Sequence, residues 1–198
     1  NTKLDNIPEK DDIYKKFNLN SNNKYCLFLF PKIRKNFTDR DILNIYSHLN
    51  KLGFKIIVKT RPKDPSISEN LKGDYFVSSD IYPNESLELM KISELCIISS
   101  SSANEETTFS KIPCIDIISD LRVWERNQYL LDDKTYLRIE NNEWKNMSFD
   151  RFKNIYEKLE KKDSDYFNKI IEKYLFTHSN SSEKIFTFLE KNHSEIFK

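Results

Sequence analysis

Four consecutive serines, Ser99 to Ser102, stand between the apolar run Cys96-Ile97-Ile98 and the segment Ala103-Asn104-Glu105-Glu106. At a turn from strand to helix, hydroxyls and free backbone N–H groups are donors for phosphate oxygens. A carboxylate one turn into the helix accepts hydrogen bonds from ribose hydroxyls. The spacing suits a nucleoside diphosphate, with Ser100, Ser101 and Ser102 on phosphate and Glu105 or Glu106 on ribose. Each residue also has an ordinary structural role. A serine before a helix caps it, and acids in a first turn complement the macrodipole.

Two cations follow a second apolar run, in Lys59-Thr60-Arg61-Pro62. Cations at a strand end neutralise phosphate, and arginine does so with two parallel hydrogen bonds. Exposed surface charge is the alternative. Tyr82 and Pro83 precede a helix opening at Glu85, where ring and backbone suit either a nucleobase or a turn. Lys32, Arg34 and Lys35 read as surface charge. His48, His178 and His193 have no nucleophile beside them, so no Ser-His-Asp or Cys-His set is indicated and no catalytic residue is assigned. No Cys/His spacing points to zinc, and no metal is expected.

These candidates depend on strands and helices to bring them together. The runs Tyr25–Phe30, Phe54–Val58, Tyr75–Val77, Cys96–Ser99 and Cys114–Ile118 read as strands. Continuous apolar runs of this kind mark strands buried on both faces of a parallel sheet. Helices fall between them. Thr38 or Asp39 caps one whose apolar face is Ile42, Ile45, Tyr46, Leu49 and Leu52, with Gly53 at its end. Others are expected over Glu85–Leu95, with Leu87 and Met90 inward, and over Asn104–Ser110.

This alternation predicts an α/β chain: a Rossmann-like three-layer α/β/α fold with a mainly parallel sheet and extra C-terminal helices. Residues 1–23 read as a linker and short helix, 24–147 as the Rossmann-like nucleotide-binding domain, and 148–198 as helices packed on the same domain. Residues 63–72 read as a polar loop, and 120–147 as irregular with one strand at Tyr136–Ile139. The C-terminal helices carry Phe152, Ile155, Tyr156 and Leu159, then Phe167, Ile170, Ile171 and Tyr174, then Ile185, Phe186 and Leu189. The charged stretch Glu157–Asp165 reads as solvated surface and a turn.

Composition narrows the function. The 198 residues carry 32 basic and 31 acidic side chains, which leaves no basic footprint for nucleic acid. No apolar run reaches the roughly 18 residues a membrane span needs. Cys26, Cys96 and Cys114 each lie in a strand-like run, which argues for reduced, buried thiols and a cytoplasmic location. With Gly53 and Gly73 as its only glycines, the chain holds neither a G-x-G-x-x-G fingerprint nor a Walker A loop.

The order strand, Lys-Thr-Arg-Pro, helix Glu-Ser-Leu-Glu-Leu-Met, strand, Ser-Ser-Ser-Ala-Asn-Glu-Glu and Lys-Ile-Pro resembles the C-terminal nucleotide-binding domain of GT-B glycosyltransferases. It is similar to the branch holding surface and capsule polysaccharide enzymes and the UDP-N-acetylglucosamine 2-epimerases. In those epimerases the second acid of a Glu-Glu pair holds the ribose, seven residues before a proline. Glu106 stands at that spacing from Pro113. The resemblance covers about Lys24 to Asp120. It implies the sugar-nucleotide-binding half of a glycosyltransferase in surface polysaccharide or glycan synthesis, with Arg61, Lys59, Tyr82, Ser100, Ser101, Ser102, Glu105 and Glu106 at the donor. The donor is then a nucleotide sugar, with no further cofactor. The acceptor, a glycan or lipid-linked chain, would be held by an N-terminal domain absent from this chain, and the full protein would associate at most peripherally with a membrane.

Two departures separate the chain from the epimerases. Ser102 and Ala103 replace the glycines of the phosphate turn, and residues 119–126 lack the Thr-Glu-Arg-Pro stretch expected there. An epimerase-like enzyme and a non-catalytic α/β binding or scaffold module remain the alternatives.

Overall fold

The computed structural model describes residues 7–30, 38–60, 67–78, 84–99, 103–117, 132–139 and 141–174. Six strands form one parallel sheet: β1 (Lys24–Leu29), β2 (Phe54–Thr60), β3 (Tyr75–Ser78), β4 (Leu95–Ile98), β5 (Cys114–Ile117) and β6 (Tyr136–Ile139). Their order is β3-β2-β1-β4-β5-β6, with every neighbouring pair parallel. This is the doubly wound α/β architecture expected from the apolar runs.

Side chains alternate between the two faces. Cys26, Phe28, Ile56, Val58, Ile97, Ile115 and Ile139 share one face with the buried residues of helix α2 (Asp39–Lys51) and with Phe152 of α5 (Phe149–Lys158). Tyr25, Leu27, Ile57, Cys96, Ile98, Cys114 and Tyr136 share the other with α1 (Lys10–Lys16), α3 (Asn84–Ile92), α4 (Ala103–Phe109) and α6 (Asp165–Tyr174). All three cysteines are free and fully buried, and burial pushes the Cys26 and Cys114 thiols up.

Local signals set the element ends. Thr38 caps α2 in a reciprocal box with Asp41, its hydroxyl accepting from the Asp41 N–H at 3.3 Å. After α2 the chain reverses through Gly53 at φ +80°. His48 is buried on α2, and its Nε2 lies 2.8 Å from the Met147 carbonyl oxygen. Ile13 of α1 is fully buried, and Lys16 pairs with Glu88 of α3 at 2.6 Å.

Four expectations change. Helix α3 stops at Ile92, three residues before Leu95, and Leu95 opens β4. The Ser93 hydroxyl turns back onto the Leu89 carbonyl at 2.8 Å, and the Glu94 N–H already bonds Tyr25 in the sheet. The charged 157–165 stretch is not all solvated. Lys162 Nζ donates to the Met90 and Ser93 carbonyls at 2.7 and 2.8 Å and to the Lys91 carbonyl, capping the negative end of α3. Burial pushes that ammonium down to about 8, against the three carbonyls that hold its protons. Residues 67–72 are more than a polar loop. Ile67 and Leu71 are buried there, and the Tyr46 hydroxyl donates to the Leu71 carbonyl at 2.9 Å. Asn141–Trp144 form a 3-10 turn inside the stretch expected to be irregular, with Trp144 buried. The expected helix around Ile185 and Phe186 lies outside the described residues.

Gly73 lets the chain pass closely over β2. It has φ +66°, and an added Cβ would lie 2.8 Å from Val58 Cγ2 and 2.9 Å from the Ile56 carbonyl oxygen. Gly53 has a similar φ and open space around it. Gly73→Ala should therefore cost about 3 kcal/mol, by overpacking plus backbone strain. Gly53→Ala should cost about 1 kcal/mol, by strain alone. Urea denaturation of the two variants measures both values, and equal losses would contradict the close approach at Gly73.

Candidate functional site

In an open parallel sheet, ligands bind outside the carboxyl ends of the strands where the winding reverses. Here that point lies between β1 and β4, which are neighbours although they are not consecutive. After β1 the chain goes on to β2 on one side, and after β4 to β5 on the other. The edge is thus reached by Phe30 at the end of β1, Thr60 of β2, Ser99 after β4, and the first turns of α3 and α4. Ser100, Ser101, Ser102, Arg61 and Tyr82 lie outside the described residues. The structure fixes Ser99 and Ala103 on either side of the serines, and Thr60 directly before Arg61.

Lys59 is placed differently from an open phosphate ligand. Its register, Leu29↔Lys59↔Val77, puts its side chain on the face covered by α3. Only 4% of that side chain is exposed, and Nζ lies 3.3 Å from Oε2 of Glu85 in the first turn of α3. From its sequence position, Glu85 had no role beyond opening a helix. Glu85, Ser86, Glu88 and Leu89 are all buried, so α3 presents polar groups to the interior.

The two acids of α4 flank its buried side. Ala103, Asn104, Thr107 and Thr108 face inward, while Glu105 and Glu106 are half-buried. The Oε2 atom of Glu106 is itself inaccessible to solvent. The Thr107 and Thr108 hydroxyls donate to the Asn104 carbonyl at 2.8 and 2.9 Å, and the Asn104 side chain accepts from the Glu105 N–H at 2.9 Å. The threonines are thereby committed to the helix, and the carboxylates are the groups of this helix best suited to a polyhydroxy ligand.

A third polar group on the same face centres on Asp116, an aspartate that the sequence places inside an apolar strand, open to the cleft or to a helix end. Asp116 lies inside β5 and is 1% exposed. Tyr136 Oη donates to Asp116 Oδ2 at 2.5 Å, and Arg138 Nε stands 3.4 Å from the same oxygen. Arg138 Nη2 donates to the Tyr136 hydroxyl at 3.3 Å. Burial, then the Asp116 charge, pushes the Tyr136 phenol well up, so it stays protonated as a donor. The cluster bonds β6 to β5 beyond their backbone ladder. An aspartate within an apolar strand was its only sequence signal. No group of three or more metal-ligating side chains occurs among the described residues, and none of their helices is long and apolar enough to cross a membrane.

No protein-family model matches the chain, and no curated protein sequence does. Solved structures do match. The C-terminal domain of a glycosyl transferase group 1 family protein, LpcC, from Francisella tularensis aligns with 86% of this chain and 94% of its own length, at TM-score 0.58 and 13% identity. A glycosyl transferase family 9 protein from Veillonella parvula aligns with 79% of this chain at TM-score 0.55 and 10% identity. The spinosyn rhamnosyltransferase SpnG, solved with thymidine diphosphate, aligns with 78% at TM-score 0.51 and 11% identity. This chain spans 51% of the second protein and 40% of the third. At these identities the likeness is one of fold: the chain has the α/β Rossmann-like fold of a glycosyltransferase domain.

The Lys59–Glu85 pair makes a stability prediction. Removing one member of a buried ion pair strands the other charge, whereas removing both does not. Lys59→Met should destabilise the protein by roughly 3 kcal/mol, and the double variant Lys59→Met, Glu85→Gln should recover at least about half of that loss. Urea unfolding of the single and double variants checks this, and additive losses would exclude coupling.

Proposed function

We propose that this chain is the nucleotide-binding half of a glycosyltransferase and holds the diphosphate of a nucleotide-sugar donor at the carboxyl edge between β1 and β4. One observation carries the proposal: β4 ends and α4 begins, on either side of the serine segment in sequence, where the winding of the sheet reverses. For the serine segment between them, this favours phosphate binding over a plain structural role. The fold shared with glycosyltransferase domains, one of them solved with thymidine diphosphate, supports the same reading.

In this reading Ser100 to Ser102 and Arg61 meet the diphosphate, Tyr82 borders the base, and Glu106 accepts from the ribose, with Glu105 beside it. Donors fixed around the phosphates stabilise the leaving nucleoside diphosphate as the glycosidic bond breaks. An acceptor, a glycan or lipid-linked chain in surface polysaccharide synthesis, would be presented by a second domain.

Thermal shift and calorimetry with UDP, CDP, GDP, dTDP and CMP test the proposal. At least one nucleoside diphosphate should bind more tightly than CMP. Glu106→Ala should weaken that binding by about tenfold or more, the value of lost hydrogen bonds to a charged group. Its unfolding free energy should change by no more than about 1 kcal/mol, as for a helix-end acid. No binding of any diphosphate at millimolar concentration would refute the function and leave the scaffold module as the better description.

A further inference from the structure

Two opposite charges are buried together at the carboxyl edge. Lys59 is the penultimate residue of β2 and Glu85 the second residue of α3, with side chains 4% and 11% exposed. Other lysines paired with acids keep their hydration: Lys16, paired with Glu88, and Lys55, paired with Asp74, are 44% and 49% exposed. A buried pair loses in hydration about what it regains in attraction, so stability alone gives little reason to keep one. The Nζ–Oε2 separation of 3.3 Å is also longer than the about 2.7–2.9 Å of a tight charge-assisted bond. In sequence, Lys59 precedes Arg61 by two residues and Glu85 follows Pro83 by two. A buried lysine–carboxylate pair therefore joins the end of β2 to the start of α3 at the carboxyl edge.

We infer that Glu85 is an internal stand-in for the ligand's anion: it holds Lys59 in place, and a diphosphate displaces it. Glu85 offers one negative charge in a fixed position. A singly charged ligand gains nothing by replacing it, whereas a diphosphate brings more charge and more acceptor oxygens to the same ammonium. The exchange thus selects for multiply charged anions. Once displaced, Glu85 remains in the first turn of α3, where the helix dipole favours a carboxylate. The identity of the natural ligand rests on the nucleotide-diphosphate reading; the exchange itself does not.

Calorimetry with inorganic pyrophosphate, orthophosphate and UDP on wild type, Glu85→Gln, Glu85→Asp and Lys59→Met tests the exchange, with near-UV circular dichroism confirming that each variant is folded. Removing the competitor should tighten pyrophosphate binding in Glu85→Gln by about tenfold and narrow its preference over orthophosphate, as expected when a buried charge loses one internal anion. Lys59→Met should weaken pyrophosphate binding by about tenfold. If Glu85→Gln does not fold, Glu85→Asp, with a shorter reach to Lys59, should still tighten binding, by about threefold. Weaker or unchanged pyrophosphate binding in the folded Glu85 variants would overturn the inference. UDP binding in wild type without these shifts would leave the nucleotide reading standing and this inference refuted. Pyrophosphate shifts without binding of any nucleoside diphosphate would do the reverse.

Discussion

A parallel sheet has no self-sufficient face. Each strand must be joined to the next by a crossover, and both faces must be covered to bury the apolar side chains that the strands present. Every other feature of this molecule follows from that constraint. The central strand β1 is almost wholly buried, so α2 and α5 must cover one face while α1, α3, α4 and α6 cover the other. Winding outward from β1 in one direction and from β4 in the other brings two strand ends with diverging connections side by side. The place for a ligand is thus a consequence of how the core is covered.

Charges cluster where this covering ends. At the carboxyl edge Lys59 is joined to Glu85, and Asp116 to Tyr136 and Arg138. At the opposite end of α3, Lys162 gathers the Met90 and Lys91 carbonyls of its last turn and the Ser93 carbonyl just after it. One helix is thereby tied by a lysine at each end, to β2 at its start and to the α5–α6 connection at its finish. α3 leads directly into β4, the strand that lies beside β1 at the carboxyl edge. Fold and candidate site share this helix, so a change in its packing should be felt by both.

The sheet was legible in the sequence because burial on both faces leaves an uninterrupted apolar signature, as in Tyr25–Phe30 and Phe54–Val58. The capping box at Thr38 was legible for a local reason: its partner Asp41 is three residues away. Partnerships across the chain were not legible. Lys59 and Glu85 are 26 residues apart, and Lys162 meets carbonyls about 70 residues before it, so neither contact leaves a periodic trace. The end of α3 was misplaced because Ser93 and Lys162 terminate it, where the usual glycine signal is missing. Of the site residues expected from sequence, Lys59, Glu105 and Glu106 fall on described elements. Glu105 and Glu106 lie on the expected helix, and Lys59 acquires a partner that only the fold reveals.

The central claim is that the carboxyl edge between β1 and β4 receives a nucleoside diphosphate. The most direct measurement is a ¹⁵N-resolved NMR titration of the assigned protein with UDP and dTDP. The predicted result is a contiguous set of shifted amides around Phe30, Thr60, Ser99, Ala103 and Glu106, with the amino-edge cavity lined by Lys24, Glu94 and Tyr156 unchanged. Shifts concentrated at that cavity, or none at the carboxyl edge at saturating nucleotide, would contradict it.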